Sequence, residues 1–204
     1  LKLNNLPIIC FSINKFLNNK KINNIKIIIS KKHIKYFNEI NHFYKSQGIK
    51  LDKPIFGGQT RQESVYNGLK ALRNNKPDFV IIHDCARPFV DNKIINLIIK
   101  KVRKKSGVVP FRLINDSIKE YNEVEKKYSY VDRKKFIKIQ TPQIFCFKSL
   151  YESYTNGINI NSFTDDSSIA EHNNIPIKLI EGNENNFKIT SSFDLIKANK
   201  IMEK

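Results

Sequence analysis

A run of apolar residues that ends abruptly in a charged cluster constrains the fold of this chain more than any other feature. The four residues Phe79–Ile82 precede the sequence His83-Asp-Cys-Ala-Arg-Pro88. Consecutive apolar residues of this length predict a strand buried on both faces, as in parallel α/β sheets. His83, Asp84 and Arg87 then lie at its carboxyl end, which is the edge where open α/β sheets bind ligands. The alternative is an ordinary strand exit followed by a salt-bridged turn.

Strands and helices alternate along the first half of the chain. We predict helices over residues 7–17, 31–47, 60–73 and 91–105, and strands over residues 25–29, 49–56, 79–82 and 107–114. This order implies right-handed βαβ crossovers and therefore an α/β fold with a mostly parallel sheet. Further on we predict helices over residues 148–154, 163–171 and 191–203, and strands over 176–181 and 182–190. With 204 residues, 40% of them hydrophobic, the chain suits one domain over residues 1–204.

The strong positive charge raises the question of nucleic-acid binding. The chain has 36 Lys and Arg against 19 Asp and Glu, a formal net charge of +17. The lysines are spread over nearly every segment among many Asn and Ile residues, and no stripe alternates basic with aromatic side chains. We therefore expect no nucleic-acid partner, although the positive field would help to gather anionic substrates.

Cysteine usage and hydropathy indicate the compartment. The three cysteines and four histidines are far apart, without a C-x-x-C pair, so we expect no disulfide framework and no structural zinc. No apolar run approaches the roughly 18 residues of a membrane span, and no secretory leader opens the chain. We expect no membrane partner and a cytoplasmic location, or a plastid stroma if the source carries plastids.

A polar segment interrupts the alternation of strands and helices. Residues 115–135 read as two short strands around a charged turn and are too polar to pack inside a sheet. We predict an arm that projects from the body and embraces a second subunit of a two-fold dimer.

Two short motifs have both a structural and a functional interpretation. In Gly57-Gly-Gln-Thr-Arg-Gln-Glu-Ser64, the glycines allow close approach of an anion or a ribose, and Thr60 with Glu63 predicts a capping box. A plain turn with a helix cap explains the same residues. Thr141 precedes a proline that exposes its hydroxyl, which is also typical of an ordinary turn.

Two charged features near the carboxyl terminus are similarly ambiguous. Asp165 and Asp166 are suited to a metal, but they also begin a helix, and we favour the cap. Lys188 falls in the last predicted strand, where burial would require an anion; a surface lysine is the alternative.

Taken together, these motifs resemble one enzyme family along almost the whole chain. The segments that carry the resemblance are 57–64, 83–88, Asp116-Ser-Ile-Lys119, Val131-Asp-Arg133, Gln140-Thr-Pro-Gln-Ile-Phe145, Thr164-Asp-Asp-Ser167 and Asn186-Phe-Lys-Ile-Thr190. In order and spacing they resemble 2-C-methyl-D-erythritol 4-phosphate cytidylyltransferase of the non-mevalonate isoprenoid pathway.

The resemblance implies a Rossmann-like nucleotidyltransferase fold, a homodimer joined by the arm, and CTP as donor with Mg²⁺ as cofactor. By position, Gly58, Gln59 and Ser64 resemble the cytidine-binding set, and Asp84 and Arg87 resemble the pair that reaches the ribose, the phosphate and the acceptor. Arg133 and Thr141 match acceptor-binding positions, and Ser117 matches a substrate-binding position on the arm. Ser117 stands where the family usually has threonine. Arg133 would reach the partner subunit's site, and Lys188 would steer the acceptor phosphate onto the α-phosphorus. No residue is assigned as a metal ligand.

The implied reaction fits these residue types. An oxygen of the sugar-alcohol phosphate attacks the α-phosphate of CTP in line and pyrophosphate leaves, so the protein chiefly positions two polyanions and neutralises charge. This requires neither a general base nor a covalent nucleophile, and the sequence has no convincing Ser-His or Cys-His pair.

One departure from the family concerns the amino terminus. The family begins with a strand and an A-A-G-x-G-x-R turn that holds the triphosphate, and this sequence starts after it. We expect a fragment of a longer protein; a non-catalytic remnant is the alternative. Ribitol-5-phosphate cytidylyltransferase is a rival activity, and a fusion to a downstream enzyme is also compatible with the sequence.

Overall fold

The computed structural model describes residues 1–203 and has helices and strands in alternation. The strands are β1 (Lys2–Leu3), β2 (Leu6–Pro7), β3 (Ile28–Ile29), β4 (Ile55–Phe56), β5 (Phe79–Ile82), β6 (Gly107–Leu113), β7 (Lys119–Asn122), β8 (Lys127–Tyr130), β9 (Ile137–Ile139), β10 (Gln143–Cys146) and β11 (Ile177–Glu181). The helices are α1 (Ile8–Leu17), α2 (Ile34–Ser46), α3 (Arg61–Leu72), α4 (Asn92–Lys101), α5 (Phe147–Thr155), α6 (Asp166–His172) and α7 (Ser192–Met202). No helix within residues 1–203 has the length and apolarity needed to cross a membrane.

The central sheet has the strand order β11-β6-β10-β5. β11 lies parallel to β6, whereas β10 lies antiparallel to both β6 and β5. It follows that β5, β6 and β11 run in one direction and that β10 is inserted between β6 and β5 in the opposite direction. The α/β fold is confirmed, with a mixed sheet in which β9 and β10 both lie antiparallel to β6, while β5, β6 and β11 run in the same direction.

Helices cover both faces of this sheet. Phe145 of β10 packs with Leu69 of α3 and Leu150 of α5 on one face. The preceding residue of the strand, Ile144, packs with Ile98 of α4 on the other face. Successive side chains of a strand point to opposite faces, so β10 is buried between two helical layers.

Both faces of β5 pack against apolar clusters, with Val80 and Ile82 on one side and Ile81 on the other, but the strand is less completely buried than predicted. Its bounds are as predicted, but Phe79 is 37% exposed and Val80 is the one buried residue of the strand. Among residues 1–203, β5 pairs only with β10, so one of its edges is left uncovered. β6 and β10 are more completely buried, since the first four residues of β6 and the first three of β10 are all buried.

A second, smaller unit of structure surrounds the strand pair β3 and β4. These strands are parallel and much shorter than predicted, because only Ile28–Ile29 and Ile55–Phe56 form a ladder and the residues before them have no assigned strand. Tyr44 of α2 is fully buried there, and its hydroxyl donates to the carbonyl of Cys10 at 3.1 Å. A tight pairing of β1 with β2, which the sequence did not predict, precedes α1.

The polar segment forms the predicted hairpin. β7 and β8 pair antiparallel from Lys119↔Tyr130 to Asn122↔Lys127, and all eight of their residues are exposed. A projecting β-arm is therefore part of the fold, while its role in joining two subunits stays a prediction.

The strand predicted over residues 182–190 is absent from the structure. Its backbone groups bond to other elements instead: Gly182 N–H donates to the carbonyl of Phe111 at 2.8 Å, and Ile189 N–H donates to that of Ala86 at 2.9 Å. The segment is thus an ordered loop that crosses the carboxyl ends of β5 and β6. This loop, and not a strand, carries Lys188.

Candidate active site

The glycine turn before α3 is held by its own hydrogen bonds. Thr60 caps α3 by accepting from Glu63 N–H, and the Glu63 carboxylate accepts from Gln59 N–H at 2.7 Å. Gly58 N–H donates to the Ser64 hydroxyl at 3.2 Å. The predicted cap at Thr60 is confirmed, but Glu63 binds the residue before the cap and not the cap itself.

These bonds bring Gly58, Gln59 and Ser64 together, while their role in binding cytidine stays a prediction. They also engage the N–H groups of Gly58 and Gln59 within the turn, which leaves the exposed Gln59 side chain and the turn's carbonyl groups for a ligand. A Cβ atom at Gly58 would lie 2.3 Å from the Cβ of Glu63, so glycine is required for this close turn.

Asp84 is surrounded by three cationic side chains at the end of β5. Its carboxylate oxygens lie 3.1 Å from Arg61 Nε, 3.2 Å from Lys188 Nζ and 3.7 Å from Arg87 Nε. Burial by itself would raise the pKa of Asp84, but the charges of Arg61 and Lys188 outweigh it and lower the pKa below its usual value. Asp84 is therefore an anion that holds three cations in one place.

Arg61 connects Asp84 to a buried carboxylate. Its Nη2 atom lies 2.7 Å from Asp166 Oδ2, and Asp166 is completely buried. The Tyr154 hydroxyl donates to the other oxygen of Asp166 at 2.6 Å. Burial raises the pKa of Asp166, while its two donors, Arg61 and Tyr154, oppose that shift. The buried Asp166 carboxylate thus fixes the position of the Arg61 guanidinium.

Thr141 and His83 complete the floor of the site. The Thr141 hydroxyl accepts from the backbone N–H of Asp84 at 3.0 Å and lies 3.2 Å from His83 Nδ1. His83 Nε2 lies 3.0 Å from the carbonyl oxygen of Arg87. Thr141 stands between β9 and β10, so the break between these strands aligns its hydroxyl with the end of β5.

The loop over residues 182–190 places Lys188 above these groups. Arg87 Nη1 donates to the carbonyl of Asn186 at 2.8 Å, and Asn186 Nδ2 donates to that of Thr141 at 2.8 Å. The Lys188 side chain is 42% exposed and faces Asp84. Lys188 is thus partly exposed, as the surface alternative predicted, and it is also paired with an anion, as burial would require.

These side chains line one cavity of about 260 Å³, formed by Arg61, Asp84, Arg87, Thr141, Asp165, Lys188 and four neighbours. Arg61 is also paired with the buried Asp166, so Arg87 and Lys188 share Asp84 as their one ion-pair partner among the described residues. Asp165 caps α6, as we favoured, and hydrogen bonds from Ser167, Gln143 and Ser168 lower its pKa although burial opposes them. The cavity suits an anionic ligand.

The other predicted residues, including Gly58, Gln59 and Ser64, lie outside this cavity. Ser117 is exposed just before β7, and Arg133 begins a short helical turn after β8, where its Nη1 donates to the carbonyl of Asn115. Neither residue lines the cavity of its own chain. The prediction that the arm serves a partner's site is not tested by this arrangement.

Sequence reasoning missed Arg61 as part of the site and considered Asp166 only as a helix-cap residue or a metal ligand, not as the partner of an arginine. Both are charged residues in the first turn of a helix. Their pairing joins positions 105 residues apart, which no local pattern reveals. Within residues 1–203, no three His, Cys, Asp or Glu side chains come together as a metal-holding group.

The chain is similar to one group of enzymes over its full length. The family model described as "IspD: 2-C-methyl-D-erythritol 4-phosphate cytidylyltransferase" matches residues 1–204. The protein called 2-C-methyl-D-erythritol 4-phosphate cytidylyltransferase in Clostridioides difficile (strain 630) is 37% identical over 204 residues, which are 99% of this chain and 84% of that protein. The bifunctional enzyme IspD/IspF of Bartonella bacilliformis is 35% identical over 201 residues, which are 97% of this chain and 49% of that protein. The chain thus spans about half the length of the bifunctional curated relatives it matches.

A solved structure agrees with this similarity. The crystal structure of 4-diphosphocytidyl-2C-methyl-D-erythritol synthase from Anaerococcus prevotii superposes with a TM-score of 0.85 at 25% identity, covering 100% of this chain and 88% of that one. The fold and the order of the sequence motifs therefore both indicate the same group of enzymes.

Proposed function

Because the chain belongs to the 2-C-methyl-D-erythritol 4-phosphate cytidylyltransferase family, we propose that the whole protein transfers CMP from CTP to 2-C-methyl-D-erythritol 4-phosphate. The products are pyrophosphate and 4-diphosphocytidyl-2-C-methyl-D-erythritol. The observation that carries this proposal is the cavity in which Asp84, Arg87, Thr141 and Lys188, all selected from the sequence, lie together.

The cations of the cavity supply charge neutralisation in this mechanism. A phosphate oxygen of the acceptor forms a bond to the α-phosphorus of CTP, and the bond from that phosphorus to the β-phosphate oxygen breaks. The attacking oxygen is already deprotonated, so no side chain has to remove a proton. Lys188 and Arg87 stabilise the charge that develops, and Asp84 holds both in place until the phosphates bind.

The glycine turn before α3 binds the cytidine in this proposal. Gly58, Gln59 and Ser64 lie at the amino end of α3, one turn from Arg61, which lines the cavity. With its N–H groups engaged internally, the turn offers carbonyl oxygens to the amino group of the base. We assign the same three residues as the nucleotide-binding set.

Mg²⁺ is proposed to arrive with the triphosphate. The cation prefers phosphate oxygens and water, with one or two carboxylates at most. The oxygens of Asp84 are paired with cations and those of Asp165 accept hydrogen bonds, so the described residues form no ready Mg²⁺ cage. When bound, the ion would neutralise phosphate charge; no step of the mechanism depends on it here.

We further propose a homodimer in which the arm over residues 115–135 reaches the partner's site. The exposed side chains of Tyr121, Tyr128 and Tyr130 on β7 and β8 supply an apolar surface for such contact. Ser117 and Arg133 lie outside their own chain's cavity, as sharing between subunits requires.

The activity is tested with the protein carrying its natural termini. Pyrophosphate release from CTP is measured with 2-C-methyl-D-erythritol 4-phosphate and, separately, with ribitol 5-phosphate. We expect higher kcat/KM with the first acceptor. A preference for ribitol 5-phosphate would replace the proposed acceptor, and no transfer to either would indicate a non-catalytic remnant.

Sharing of the site is tested by mixing two inactive variants. Arg133→Ala and Lys188→Ala are refolded or co-expressed together, and a mixed dimer then contains one site with both residues intact. We expect activity up to about a quarter of the wild type, because random pairing makes half of the dimers mixed and one of their two sites is complete. No recovery in dimers of confirmed mixed composition would refute the sharing of Arg133.

A further inference from the structure

The hydrogen bonds of His83 determine which of its ring nitrogens carries the proton. Nε2 lies 3.0 Å from the Arg87 carbonyl oxygen, which can only accept, so Nε2 must carry the hydrogen. In a neutral imidazole Nδ1 is then an acceptor. Its neighbour at 3.2 Å is the Thr141 hydroxyl, which must therefore donate to it.

The environment keeps this ring neutral. His83 is packed against Phe16, with ring centroids 5.1 Å apart, and burial lowers the pKa of the imidazole to about 4. The charge of Asp84 opposes this shift and that of Arg87 supports it. The imidazole therefore stays neutral over the range in which most enzymes work.

The bonds of Thr141 can then be counted completely. A hydroxyl has one hydrogen and two lone pairs. The hydrogen points to His83, and one lone pair accepts from the backbone N–H of Asp84 at 3.0 Å. One lone pair is left. Thr141 is only 4% exposed, contrary to the expectation of an exposed hydroxyl, but it is one of the residues that line the cavity.

We propose that His83 is a positioning residue that makes the Thr141 hydroxyl an acceptor only, so that this point of the cavity selects a ligand O–H group and disfavours a deprotonated phosphate oxygen. An alcohol of the substrate can donate to the free lone pair, whereas a phosphate oxygen would face it without a hydrogen between them. Identifying the alcohol as one on the sugar-alcohol acceptor rests on the proposed function. The hydrogen-bond direction does not.

The direction is tested by nuclear magnetic resonance on the full-length enzyme labelled with ¹⁵N-histidine. Two-bond correlations between ring protons and nitrogens distinguish the two tautomers, and the signals of His83 are assigned by their loss in His83→Asn. At pH 7 we expect an unprotonated Nδ1 and a protonated Nε2. A proton on Nδ1, in the other tautomer or in the imidazolium, would overturn the proposal whatever the enzyme's activity.

The consequence for the acceptor is tested by two substitutions. His83→Asn keeps a side-chain oxygen near the position of Nδ1, whereas His83→Leu keeps the apolar contact with Phe16 and removes the acceptor. We expect His83→Leu to raise KM for the acceptor by about tenfold, with KM for CTP nearly unchanged, and His83→Asn to restore most of the loss. His42→Asn, an exposed histidine on α2, is the matched control.

The outcomes separate this proposal from the proposed function. A folded His83→Leu enzyme with normal KM for the acceptor, or a His83→Asn enzyme as impaired as His83→Leu, would overturn the role of His83. If His83→Leu does not fold, the resonance experiment on the wild type decides. A wild-type enzyme that transfers CMP to neither polyol phosphate would overturn the proposed function and leave the tautomer assignment standing.

Discussion

Replacing Arg61 by methionine tests whether the buried ion pair beneath the site holds the fold together. The substitution keeps most of the side chain's apolar stem and removes the guanidinium that contacts Asp166 at 2.7 Å and Asp84 at 3.1 Å. Asp166 is completely buried, so it cannot exchange the lost partner for water. Tyr154 alone would continue to donate to it.

The expected loss follows from this burial. Removing one partner of a buried ion pair costs about 3–5 kcal/mol, because the other charge stays behind without compensation. A protein of this size has a total stability of about 5–15 kcal/mol, so the loss is a large fraction of it. With a urea m-value near 2 kcal/mol per molar, the unfolding midpoint should fall by about 2 M.

The loss should also depend on pH. Without Arg61, the folded-state pKa of Asp166 rises further above its unfolded value of about 3.9. Between these two pKa values the folded variant binds a proton that the unfolded chain does not, so the free energy of unfolding falls as pH rises. The deficit of Arg61→Met against the wild type should therefore be larger at pH 7.5 than at pH 5.

Urea unfolding of the full-length protein at both pH values measures these effects. Arg112→Met is the matched control, because Arg112 pairs with Glu181 and Glu184, whose side chains are 78% and 72% exposed. Exposed pairs contribute about 0.2–1 kcal/mol, so this variant should lose little at either pH. Equal losses in the two variants, or a deficit of Arg61→Met that does not change with pH, would refute the reasoning.

Two further substitutions test the site itself. Lys188→Ala should lower kcat by about 10²–10³, because one charge that stabilises the transition state is lost. Lys178 is an exposed lysine on β11, so Lys178→Ala should leave kcat unchanged. Steady-state kinetics with both substrates measure the two effects. Gly58→Ala should lower the free energy of unfolding by about 1–3 kcal/mol, because its Cβ would lie 2.3 Å from that of Glu63; a variant as stable as the wild type in urea would contradict the tight turn.

Local sequence patterns predicted the bounds of helices and strands well where the side chains themselves favour that element. The bounds of β5 and the starts of α3 and α7 follow from an apolar run and from capping residues at Thr60 and Ser191. The strand predicted over residues 182–190 failed because Phe187 and Ile189 pack with apolar residues of α1 and α7, while backbone groups of the segment bond across the edge of the sheet. Such bonds depend on distant segments and leave no local signature.

Within the site, the sequence by itself determined which residue types are present and that Asp84 and Arg87 follow a strand. Only the tertiary structure decided that β10 is inserted antiparallel beside β5, which brings Thr141 to Asp84 across 57 residues. It likewise decided that Arg61 bridges Asp84 and Asp166, and that the loop with Lys188 crosses above them. The physical reason is that hydrogen bonds and ion pairs act over a few ångströms in space, whereas a sequence orders residues only along the chain.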